Sequence, residues 1–192
     1  MLFHHTIVKK RPVMKEAEQD AQRYEGKVTN GMGNSMVKTQ TKETGEFLSK
    51  VVTTVNNYLN QTTLSSMQAD LPLEEEYCRD VLSTLRRMSV FCEGGAEACR
   101  LLVQHEPFQD KRAENTLYKV YHQCIEEFFM PKKDTWFENS RAAYTGNSAI
   151  QFYQAVPASL QELLTALSPD FLHMREELAH YEASGSNMAQ IR

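Results

Sequence analysis

Two groups of side chains in this chain have types and spacings that do chemistry. Trp136, Arg141 and Tyr144 set a planar cationic fork among two aromatic rings. A guanidinium binds carboxylate or phosphate through paired hydrogen bonds and rings stack on rings, so this trio would recognise an anionic, ring-containing small molecule. His122 and Glu126 stand four residues apart, hence on one helical face, the spacing of an acid–base pair that could face the same ligand. Each group also has a plain structural reading. Trp136 and Tyr144 would pin a segment to the core, Arg141 would meet a carboxylate, and the His–Glu spacing is common on ordinary helices.

Other catalytic spacings are incomplete. A di-iron helical bundle needs two Glu-x-x-His motifs, and only Glu177-Leu178-Ala179-His180 is present. No G-x-S-x-G, H-E-x-x-H or phosphate-binding loop occurs. Arg100 and His105 form an R-x4-H spacing that resembles the ribonuclease motif of small helical HEPN-type domains, with Leu101 where that motif carries a polar residue. The triplet Glu74–Glu76 suits the start of a helix, where the dipole favours negative charge, better than a metal site without converging partners. No cofactor and no metal are implied. Cys78, Cys92, Cys99 and Cys124 lack any C-x-x-C spacing and fall on apolar stripes, so they read as small core hydrophobes.

The elements that must hold these residues are helical. Leu48, Val51, Val55 and Tyr58 repeat at steps of three and four, predicting a first helix from Glu43 to about Asn60. Gln61 to Leu71 reads as a polar connection. Cys78, Val81, Leu85, Met88, Cys92, Gly95, Cys99 and Leu102 form a heptad-like seam over about Leu73–Gln104, with a break or close crossing allowed at Gly94-Gly95. A third helix runs from the Pro107–Asp110 turn to Met130, where Pro131 stops it. It opens the aromatic stretch from Leu117 to Tyr144, which must be covered by the other helices.

Beyond Pro131 two readings compete. Thr135 and Glu138 could cap a short helix, whereas Gly146-Asn147 between Arg141–Tyr144 and Ala149–Phe152 suits a two-residue hairpin turn. The alternation of Ile150, Phe152 and Val156 with polar or small residues favours the hairpin. A last seam of Leu160, Leu164, Leu167, Phe171, Met174, Leu178 and Tyr181 contains Pro169, giving one kinked helix or two with Ser168 as a cap.

The fold expected is therefore mainly α, a single helical bundle of four to five helices with a small β-hairpin or irregular insert near the C-terminal third. Residues 41–183 would form this domain, residues 184–192 a frayed tail, and residues 1–40 a disordered extension. Met32 and Met36 sit just before the first periodic segment, so the start could be misassigned. Residues 1–40 carry a net charge of +3 and the rest −7, from the total of −4. An acidic body with scattered basic pairs gives no phosphate-binding patch, so nucleic acid is not an expected partner. No apolar run approaches the ~20 residues of a membrane span, and the cytoplasm is the expected compartment.

The run Thr116-Leu117-Tyr118 with Tyr121-His122-Gln123-Cys124-Ile125-Glu126-Glu127-Phe128-Phe129, followed by Ser140-Arg141, Ala143-Tyr144-Thr145-Gly146 and Val156-Pro157, resembles the YpuI-like family of uncharacterised proteins from Bacillus-type bacteria. The likeness extends from about Met36 to Tyr181. It implies a bacterial cytosolic protein and assigns no activity, cofactor or site. Function then divides three ways. The leading reading is a non-enzymatic interaction or scaffold protein, with a protein partner or a homo-oligomer joined through its seams. The alternatives are a small-molecule-binding domain at Trp136, Arg141 and Tyr144, and a ribonuclease using Arg100 and His105.

Overall fold

The structure, a computed structural model, describes residues 14–69, 74–139 and 149–189, with side chains among residues 36–181. The chain divides into two compact units, Met1–Met36 and Val37–Arg192. In the first, the described backbone is helical from Met14.

The fold is mainly α, with one small two-stranded sheet. Helix α1 is Met14–Gln61, well upstream of the expected start at Glu43. No proline interrupts this stretch, and a glycine inside a helix costs about 1 kcal/mol without removing a hydrogen bond. Leu48, Val51 and Val55 are buried as the spacing required. The supposed polar connection holds a short helix, α2 (Leu64–Ala69). Thr63 and Ser66 cap it reciprocally, the Ser66 N–H donating to Thr63 Oγ1 at 3.1 Å and the Thr63 N–H to Ser66 Oγ at 2.9 Å, and Met67 enters the core.

Helix α3 (Glu75–Gln104) is unbroken through Gly94-Gly95. The close crossing expected there does occur. A Cβ on Gly95 would lie 2.9 Å from Leu48 Cδ1 and 3.2 Å from Val120 Cγ2, so this glycine is where three helices meet. Tyr77, Cys78, Val81, Leu85, Met88, Cys92 and Cys99 are buried along the seam.

Helix α4 (Asp110–Val120) continues through a π turn (Tyr121–Ile125) into α5 (Glu126–Phe129). The uniform helix expected up to Met130 is thus corrected by a wide turn. It brings Tyr121, Cys124, Ile125, Phe128 and Phe129 all into the core, more buried positions than one straight stripe supplies. Phe128 stacks on Phe171 at 3.8 Å between centroids.

The insert holds a two-stranded ribbon; the expected strand at Arg141–Tyr144 lies outside the described residues. Strand β1 (Trp136–Glu138) pairs antiparallel with β2 (Ile150–Phe152), with Trp136 opposite Phe152 and Glu138 opposite Ile150. Thr135 and Glu138 form no capping box, since Thr135 Oγ1 donates to Lys133 O at 3.4 Å and Glu138 takes a paired contact from Arg175. The strand starts early because Trp136 must reach the core. Helix α5 ends at Phe129, leaving the Phe128 carbonyl without a helical donor, and Trp136 Nε1 supplies one at 2.7 Å. The expected turn at Gly146-Asn147 lies outside the described residues.

Helix α6 (Ala158–Ala189) is one element with Pro169 inside it. Ser168 is therefore no cap; it is buried, and its hydroxyl meets no partner among the described residues. Glu138 and Arg175 tie the ribbon to α6 with two contacts of 2.9 Å, and the guanidinium lies 4.1 Å over the Phe129 ring.

Candidate functional site

The acid–base pair of the sequence forms. His122 Nδ1 lies 2.6 Å from Glu126 Oε2, and the Tyr118 and Tyr121 rings meet the imidazole edge-on at 4.5 and 5.4 Å. A carboxylate only accepts, so Nδ1 carries the hydrogen in this contact, and the ring's other nitrogen is Nε2. That nitrogen is buried with no partner among the described residues. The side chains of the pair are part-exposed, 32% for His122 and 39% for Glu126, while the Nε2 atom itself is enclosed.

Trp136 is 1% exposed and its donor is spent on the Phe128 carbonyl. Arg141 and Tyr144 lie outside the described residues. Arg100 and His105 sit exposed near the end of α3 and are engaged separately. The Arg100 guanidinium contacts Glu97 at 2.6 and 2.8 Å and Gln104 at 3.1 Å, while His105 Nδ1 lies 2.9 Å from Pro107 O. The contact with Glu97 raises the Arg100 pKa and lowers that of Glu97. Nothing in this arrangement aims both side chains at one phosphodiester.

The four thiols are free and buried. Cys92 is pushed far up by its hydrogen bond with Cys124 and by burial, and Cys99 is pushed up to about 12 by burial. Such thiols are not nucleophiles at neutral pH. Among the described residues no group of three His, Cys, Asp or Glu side chains is placed to hold a metal ion.

A concave feature of this unit lies elsewhere, between α1 and α3. These helices run antiparallel, Gly45 against Cys99, Leu48 against Gly95 and Asn56 against Ser89. Their outer faces leave a groove of about 1070 Å³. On α1 the wall is the row Thr41, Gly45, Ser49 and Thr53, and on α3 it includes Val90, Gly94, Ala96 and Val103. The hydroxyls of Thr41, Ser49 and Thr53 donate to the carbonyls four residues back, at 2.7, 2.8 and 3.0 Å. With their donors satisfied internally, these side chains present mostly carbon to the groove. Val90 is 63% exposed there. The groove's charged residues, Arg100 among them, form no catalytic motif in sequence; its signal was the strict four-residue spacing of small residues on α1.

Residues 41–186 match the family model described as a protein of unknown function (DUF3907). The chain belongs to this family. The YpuI-like resemblance drawn from the aromatic stretch is borne out by a relative from Bacillus subtilis (strain 168), named uncharacterized protein YpuI. That relative is 73% identical over 179 residues, covering 93% of this chain and 100% of its own length. No solved structure matches. Among the described residues, no helix of this family member is long and apolar enough to cross a membrane.

Proposed function

We propose that this protein is a non-enzymatic interaction module that receives a helical segment along the α1/α3 groove. The observation that carries this reading is the groove itself: a cleft between two antiparallel helices, lined by small and apolar side chains whose hydroxyls bond their own backbone, together with Lys42, Glu46, Glu93, Glu97 and Arg100. Helix-in-groove recognition uses such a cleft, with anchors at three- and four-residue spacing filling it. The dyad of His122 and Glu126 serves in this reading as a local brace of the π turn.

Site-specific photocrosslinking in the cell tests it. A photoreactive residue at Val90, in the groove, is expected to give a discrete adduct, whereas the same residue at Lys119, exposed on α4, gives none. Equal labelling from both positions, or none from Val90, would overturn the reading.

A further inference from the structure

On the premise of the interaction reading, the charges of the groove name its occupant. The groove is electrically polar along its length. Lys42 and Arg100 line one end with Gln104, and Glu93 lines the other with Thr53 and Val90. Between them Glu46 and Glu97 are held by their own cations, Lys42 at 3.8 Å and Arg100 at 2.6 Å. Alone of these three carboxylates, Glu93 makes no ion pair among the described residues.

We propose that a second copy of this chain covers the groove, with the two α3 helices antiparallel about a two-fold axis near Ala96 and Glu97. Glu93 and Arg100 lie two helical turns apart on one face, about 10 Å along the axis. When a helix packs antiparallel on its own copy, a register that lays Glu93 over Arg100 of the second copy does so twice, about 5 Å either side of the axis. The same register sets Val90 level with Val103 of the second copy. Lys42 shares one end of the groove with Arg100, so the Glu93 of one copy joins, as a further carboxylate, the Lys42–Glu46 and Arg100–Glu97 pairs of the other. Ala96 near the axis, with Gly45 and Ser49 in the floor, lets the backbones approach. A basic amphipathic helix from another protein would suit a groove lined by carboxylates alone, and here Lys42 and Arg100 stand among them at one end. Head-to-tail charge of this kind is self-complementary, which is what a two-fold interface requires.

Size-exclusion chromatography with light scattering on the full chain, over a concentration series through the micromolar range, provides the test. The wild type is expected to reach twice its 22.1 kDa mass. Glu93→Arg and Arg100→Glu should each weaken the dimer by roughly tenfold or more, because like charges then face each other. The double variant, with the charges exchanged, should recover it, and thermal melts check that each variant is folded. A strict monomer overturns the inference, as does a dimer that both reversals leave unchanged. If the chain is monomeric but Val90 still crosslinks to a different protein, the interaction reading stands and only the second copy is excluded. If neither dimer nor adduct is found, both fall.

Discussion

Two adjacent glycines offer an internally controlled test of the helix crossing. Both Gly94→Ala and Gly95→Ala add one methyl group to the same turn of α3, and both should gain about 1 kcal/mol of helix propensity. At Gly94 the new Cβ meets no heavy atom within 4 Å, so this gain stands alone. It corresponds to a melting temperature raised by about 2–4 °C for a chain of this size. At Gly95 the Cβ would sit 2.9 Å from Leu48 Cδ1, 3.2 Å from Val120 Cγ2 and 3.9 Å from Cys124 Sγ, all on buried residues. Overpacking of this kind costs about 1–3 kcal/mol, so the net effect runs from near zero to about 2 kcal/mol of destabilisation. The difference between the variants removes the shared propensity term and measures the crossing directly. Urea unfolding of the two proteins at equal, dilute concentration provides it. Equal stability changes would refute the placement of Gly95 at the meeting of α1, α3 and α4.

Leu85→Asp puts an unpaired carboxylate at a fully buried seam position and should cost several kcal/mol; a cooperative melt near the wild-type temperature would sink the seam assignment. Trp136→Phe keeps a ring but orphans the Phe128 carbonyl, an expected loss of about 1–3 kcal/mol by chemical denaturation. Because Trp136 is enclosed, a panel of metabolites and nucleotides should leave its fluorescence unmoved; a saturable shift would restore a ligand site beside the insert. Cys99 and Tyr181 are each pushed up to about 12 by burial, from ordinary values of 9.0 and 10.0. Their neutral forms therefore stabilise the folded chain fully below about pH 9, and that contribution is lost as pH rises towards 12. Melting temperatures should fall across this window, and Cys99→Ala should flatten the fall; an unchanged slope would remove Cys99 as a cause.

The helices were legible because their seams are dense. Every third or fourth residue from Cys78 to Cys92 is buried as its spacing required, and the same holds from Leu160 to Tyr181. What escaped notice depended on contacts distant in sequence. Pattern alone could not place β1, because its position follows from the need of Trp136 to satisfy a carbonyl at the end of α5. The π turn was hidden for a related reason: Tyr121, Cys124 and Ile125 look like neighbours of one stripe, and only packing from several sides shows that all are covered. His122 and Glu126 were paired correctly from spacing, yet which way Nε2 faces is set by surroundings that spacing does not encode. The groove escaped the sequence because its glycine, serine and valine acquire meaning only when two helices leave them uncovered, and because its charged residues come from two helices distant in sequence.

The π turn also bears on how long this segment has to be. A turn closed five residues back holds one residue more than an α turn, so Tyr121–Ile125 stores a surplus residue inside a helix whose two ends keep their facing. Removing exposed Gln123 from it would leave an ordinary α-helix, with Leu117 and Val120 still in line with Phe128 and Phe129. The same deletion a few residues upstream or downstream would swing one end through about 100° and carry its buried side chains off the core. Within this helix, chain length is therefore negotiable at one turn alone, and relatives that differ in length here should differ at that turn.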